Sequence, residues 1–137
     1  MSPLKTEIQG KVATLTLNRP AQMNTIDLGM AKALYEASLS FTEHSTVRAL
    51  IITGAGEKAF CAGGDLAAFN QHGEAVGEHL HEVTHYLHGA ISRFARTNLP
   101  VITAVNGVTA GGGLAFLGFP QLVLAAESAR FVSAYTK

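Results

Sequence analysis

The sequence has one cysteine, Cys61, so no disulfide can close within the chain, and this usage fits a reducing, cytoplasmic compartment. It has no net charge, because ten basic residues balance ten acidic ones. That balance excludes the basic surface of a nucleic-acid binder or of a polybasic membrane-surface protein. It lacks long apolar runs: none approaches the roughly 18 residues of a spanning helix. The opening MSPLKTEIQG has no apolar stretch of the kind found in secretory signals. The expected partners therefore include neither nucleic acid nor membrane. Internal repeats and low-complexity tracts are also missing. What is present is a hydrophobic fraction of 47% over 137 residues, enough for a single domain, 1–137, with a real core.

Val12–Leu17 alternates apolar residues with threonine and reads as a half-buried strand. Gly10-Lys11 turns into it from a short arm around Glu7-Ile8, and Pro20 stops it because proline cannot donate to a ladder. Asp27 is a good helix N-cap. From Leu28 the apolar spacing is helical, through Ala31, Leu34, Ala37 and Phe41, and it fades over Thr42–Thr46. Val47–Thr53 is a second strand, closed by Gly54-Ala55-Gly56. Strand, helix, strand predicts a right-handed crossover and a parallel sheet. A loop over Gly73–Gly77 precedes a long amphipathic helix, Glu78–Thr97, with Leu80, Val83, Leu87, Ile91 and Phe94 on one face. Gln121–Ala126 is a further apolar strand, and Arg130-Phe131-Val132 begins an extended piece.

Two stretches carry the chemistry. In Pro100–Leu114 a fully apolar strand, Val101–Val105, breaks at Asn106-Gly107, and Gly111-Gly112-Gly113 then leads into the start of a buried helix at Leu114. In Lys58–Leu66 a strand end meets Gly63-Gly64 and a short helix over Asp65–Phe69, which Asp65 can cap. A strand, a tight glycine turn and a helix start together present free backbone N–H groups, which favour negative charge. Other chemistries are poorly served. Gly54-Ala55-Gly56 lacks the third glycine of the dinucleotide fingerprint, which would fall at Ala59, and no Walker-type sequence occurs. His81, His85 and His88 follow helical spacing but have no third ligand type nearby, so a solvated flank is expected and no metal. Cys61 reads as a small core residue rather than a nucleophile.

Taken together, Ala59-Phe-Cys-Ala-Gly-Gly-Asp-Leu66 resembles the first signature of the crotonase superfamily, the enoyl-CoA hydratases and isomerases. Pro100-Val-Ile-Thr-Ala-Val-Asn-Gly107 with Gly111-Gly112-Gly113 resembles the second, and Asn18-Arg19-Pro20 with Asn24 is similar to the family's first loop. The resemblance implies an α/β fold of repeated ββα units wound as a spiral, with the C-terminal part of the fold missing from these 137 residues. It implies an acyl-CoA thioester as substrate, no cofactor besides the coenzyme A that the substrate carries, and a homo-oligomer, trimer or hexamer. It places two oxyanion donors on the N–H groups of Ala62 and Gly112. It places coenzyme A contacts at Ala21, Gln22, Met23 and Asn24 and at Ala59, Cys61, Gly63, Gly64, Asp65 and Gly111. Lys58 and Arg19 are within the same stretches, and solvated surface charge is the expected role of each, with phosphate contact as the alternative.

The departures are specific. The two glutamates of the family's hydratases match Ala115 and Tyr135, and neither side chain can activate water. Isomerisation through an enolate is therefore expected ahead of hydration. A non-catalytic acyl-CoA binder and a fragment that needs a partner chain stay open.

Overall fold

The computed structural model describes residues 1–42 and 46–135. It builds repeating strand–strand–helix units. β1 (Leu4–Gln9), β2 (Val12–Leu17) and α1 (Leu28–Thr42) form the first unit. β3 (Ala49–Gly54), β4 (Ala59–Cys61), a short α2 (Leu66–Asn70) and the long α3 (Val76–Arg96) form the second. β5 (Val101–Val105), β6 (Val108–Ala110) and a 3-10 helix, Gly111–Leu117, form the third, and β7 (Leu122–Ala125) and β8 (Arg130–Val132) follow. Each unit after the first adds one strand to each of two sheets. The strand orders are β1-β2-β3-β5-β7 and β4-β6-β8. Only β1 runs antiparallel to its neighbour; the other ladders are parallel.

The inner strands β2, β3 and β5 turn alternate residues into the core, and those positions are mostly apolar. β2 buries Ala13, Leu15 and Leu17, β3 buries Leu50 and Ile52, and β5 buries Val101 and Val105. α1 turns Met30, Ala31, Leu34, Ala37 and Phe41 into this core, and α3 turns in Val83, Leu87, Ala90 and Phe94. Phe60 from β4 meets Phe116 edge-to-face, with ring centroids 5.8 Å apart, and so ties the small sheet to the 3-10 helix. Asp27 caps α1 as expected, accepting from the Met30 N–H at 2.8 Å. The expected fading of α1 over Thr42–Thr46 falls largely outside the described residues.

Four features differ from the sequence reading. α3 begins at Val76, two residues earlier than expected, directly after a 3-10 turn at Gly73–Ala75. Its apolar stripe is covered only from Val83 onward, which leaves Leu80 exposed. Val108–Ala110 is a strand of its own, too short to show a period in sequence. The three glycines do not precede a helix but form its first turn, and that turn is 3-10.

Candidate functional site

Parallel pairing of β4 with β6 puts Ala59 beside Val108 and Cys61 beside Thr109. Each strand runs straight into its glycine turn, so the two turns emerge side by side. Gly63 has φ +97, a conformation that L side chains rarely adopt. A β-carbon placed on it would lie 3.0 Å from the Ala110 carbonyl oxygen and 3.4 Å from the Gly112 nitrogen. A β-carbon on Gly113 would collide with the Cys61 carbonyl. The turns thus touch through backbone alone, which only glycine permits. At Gly112 a β-carbon would meet no described atom within 4 Å, so this part of the turn faces open space.

The opposite side of the first turn is held by the loop after β2. The Ala62 N–H donates to the Met23 carbonyl at 3.1 Å. The Ile26 N–H donates to the Gly63 carbonyl at 2.8 Å, and the Asp65 N–H donates to the Ile26 carbonyl at 3.0 Å. These last two bonds make a parallel bridge between Ile26 and Gly64. In a parallel bridge the bracketed residue turns its own N–H away from its partner. The Gly64 N–H therefore points away from Ile26, and it meets no acceptor among the described residues. The Gly112 N–H, in the first turn of its helix, is likewise without an acceptor there. This corrects the sequence reading of the first donor. Ala62 is committed to Met23, whereas the Gly64 amide has no acceptor among the described residues.

The other expected contact residues separate into two groups. Ala21 and Gln22 are exposed, Met23 is half-buried, and Ala21 and Gln22 line, with Arg19, a cavity of about 470 Å³. Gly63 and Gly111 form the contact between the turns. Ala59 and Cys61, by contrast, lie in the buried strand β4. Burial pushes the Cys61 thiol up to about 11, against a weaker opposing bond from the Gly63 backbone, so the thiol is inert at neutral pH. Asn24 is fully buried at φ +54. Its Oδ1 accepts from the Arg19 N–H at 2.9 Å, and its Nδ2 donates to the Ala55 and Ala59 carbonyls, each at 2.9 Å. Its side chain is a clamp between loops, with no free group for a ligand.

Arg19 is the clearest departure from expectation, because it is not a solvated charge. Its guanidinium donates from Nη2 to Asp65 Oδ2 at 2.8 Å and from Nη1 to the Thr25 carbonyl at 2.7 Å, with Asp27 Oδ2 at 3.2 Å from Nη2. Asp65 also caps α2, accepting from the Ala68 N–H at 3.0 Å. Burial works against ionisation of Asp65, but the Ala68 N–H, the Arg19 guanidinium and the Ala67 N–H together outweigh it and hold the carboxyl below its ordinary 3.8. Lys58 is exposed, as expected. Ala115 lies in the 3-10 helix and Tyr135 is 75% exposed. His81, His85 and His88 line a solvent-facing groove of about 1040 Å³ that runs along α3 to Leu99 and meets α1 at Tyr35, and no metal-binding cluster occurs among the described residues.

The chain is a spiral of ββα units with two apposed glycine turns, and comparison with known proteins assigns that architecture to a family. The enoyl-CoA hydratase/isomerase family matches residues 7–137, and the chain belongs to that family. It is 37% identical to the 1,2-epoxyphenylacetyl-CoA isomerase of Escherichia coli K12, over 100% of this chain and 52% of that protein. It is 36% identical to the mitochondrial 3-hydroxyisobutyryl-CoA hydrolase of Danio rerio, over 89% of this chain and 32% of that one. The crystal structure of an enoyl-CoA hydratase from Bacillus anthracis superposes with a TM-score of 0.86 at 30% identity, over 95% of this chain and 50% of that chain. The chain therefore spans about half the length of the isomerase and of the solved hydratase, and about a third of the hydrolase.

Proposed function

We propose that the chain binds an acyl-CoA thioester with the thioester oxygen between the N–H groups of Gly64 and Gly112. The observation that carries this reading is the pair of apposed glycine turns, each with an amide that has no acceptor among the described residues. Two fixed amides meet the negative charge that develops on the oxygen when the α-carbon loses its proton, and they need no reorganisation to do so. The enolate so stabilised is the intermediate of double-bond isomerisation. Isomerisation is favoured over hydration because Ala115 and Tyr135 stand where a hydratase needs carboxylates. Asp65 is no substitute: Arg19 and the α2 amides occupy it, and its depressed pKa makes it a weak base. The same lack of carboxylates supports a second reading, a binder that takes acyl-CoA without turning it over.

Calorimetry with butyryl-CoA, free coenzyme A and butyrate tests the site. The expected order is thioester tightest, coenzyme A weaker and the free acid undetected. Equal binding of coenzyme A and butyryl-CoA would sink the placement of the carbonyl. Exchange of the α-proton in heavy water, read by NMR, then separates the isomerase from the silent binder. Rapid hydration of crotonyl-CoA would overturn both.

A further inference from the structure

We propose that Arg19 is a positioning residue for the Gly64 amide: its fork holds the turn that carries this N–H from the residue that follows. This assignment rests on the acyl-CoA reading above. The first turn has backbone partners at Ala62, Gly63 and Asp65, all of them supplied by Met23 and Ile26. Residues 23–26 are thus the mould in which the Gly64 peptide is set. These residues follow the 3-10 turn Pro20–Gln22 and carry positive φ at Met23 and Asn24. Arg19 joins mould and cast. Its backbone carbonyl accepts from the Gln22 and Asn24 N–H groups, both at 2.9 Å. Its Nη1 grips Thr25 at the carbonyl and, at 3.2 Å, at the hydroxyl. Its Nη2 grips Asp65, the residue directly after Gly64.

The charges make this more than a tether. Asp27 and Asp65 both approach Nη2, and the Arg19 side chain is only 17% exposed. Without the guanidinium the two carboxylates would face each other with no cation between them, and their repulsion would move Asp65 and the peptide before it. A lysine could hold one carboxylate but not both acids and the Thr25 carbonyl together, because only the planar fork has donors in that arrangement. The Arg19 side chain contacts Thr25, Asp27 and Asp65 and not Gly112, so it acts on the substrate oxygen through the Gly64 amide.

The test uses butyryl-CoA carrying ¹³C at the thioester carbonyl, bound to the full chain and to Arg19→Met, Arg19→Lys and Asp65→Asn. The carbonyl resonance reports polarisation by the two amides, and free coenzyme A, which has no acyl carbonyl, reports the rest of the site. In the parent chain the resonance should move downfield on binding. In Arg19→Met and Asp65→Asn most of that movement should vanish and butyryl-CoA should bind about tenfold more weakly, while coenzyme A stays within about twofold. Arg19→Lys should recover part of both. Asp65→Asn retains the side-chain oxygen that caps α2, so it loses the ion pair while the helix start survives. A full carbonyl shift in both variants overturns the role of Arg19 alone, and so does a parallel loss for butyryl-CoA and coenzyme A. No shift in the parent chain overturns the acyl-CoA site itself, and with it this assignment.

Discussion

Gly63, Gly113 and Asp65 show how much a single position decides here. A methyl on Gly63 must enter a gap already filled by the Ala110 carbonyl, at a φ of +97 that alanine adopts only under strain. Gly63→Ala should cost about 2–3 kcal/mol in urea unfolding, the sum of strain and displacement. It should also part the two turns and weaken acyl-CoA more than coenzyme A. An unchanged unfolding midpoint would mean that the turns are not in contact in solution. Asp65 makes a prediction about acid. Its folded pKa lies below 3.8, so its contribution is complete above the unfolded value and is lost as pH falls through the folded one. Below about pH 4 the parent chain should lose stability more steeply than Asp65→Asn, which has no such proton to take up. Parallel acid unfolding curves for the two would contradict the ion pair.

At the scale of elements, the loop after β2 does more than connect strand to helix. Its Asn24 satisfies an amide of its own loop and two carbonyls that border the next strand pair. Replacing it with alanine takes this partner from the Arg19 N–H and the Ala55 carbonyl, leaves the Ala59 carbonyl only Asn106 Nδ2 at 3.3 Å, and keeps a positive φ that alanine resists. Each such group costs about 1–3 kcal/mol, though relaxation and entering water recover part. Asn24→Ala should therefore destabilise by about 3–4 kcal/mol in urea unfolding, with Asn24→Asp intermediate because it keeps the acceptor and loses the donor. A cost below about 1 kcal/mol for Asn24→Ala would show the clamp to be dispensable. Asn106 repeats the device on the other side of the same strand pair, accepting from the Gly54 N–H at 3.1 Å and donating to the Gly56 carbonyl at 2.8 Å. Two asparagines thus brace Gly54–Ala59, the segment that delivers β4 to the site.

The whole molecule is a stack in which every unit is covered by the next, and β7 and β8 have no successor among the described residues. Leu122, Val123 and Leu124 are 49%, 37% and 55% exposed, so β7 is bare on both faces, and Phe131 and Val132 of β8 are bare as well. An apolar edge strand of this kind pairs with other chains. The 137-residue chain expressed alone should therefore sediment as species that grow with concentration. The double substitution Leu122→Lys and Leu124→Lys should shift it toward monomer, with a change in thermal stability under about 0.5 kcal/mol, since both side chains are already exposed. A parent chain that stays monomeric at every concentration would contradict this.

The local pattern was enough for much of this protein. Alternation set β2, the 3.6-residue stripes set α1 and α3, Asp27 and Asp65 marked helix starts, and the two glycine turns identified the family, because each of these signals depends on neighbours within one or two turns of chain. Tertiary structure alone decided which amide is free. Ala62 and Gly64 both sit in the same glycine-rich stretch, and only the register against Met23 and Ile26, some 40 residues upstream, commits the first and releases the second. The same holds for Arg19, whose two carboxylate partners come from different loops, and for Asn24, whose polar side chain reads as ligand-facing until its three backbone partners are seen. That the exposed apolar surface falls on β7 was also decided by the fold. LVLA is apolar enough for a buried strand, but burial depends on what packs against it and not on the residues themselves.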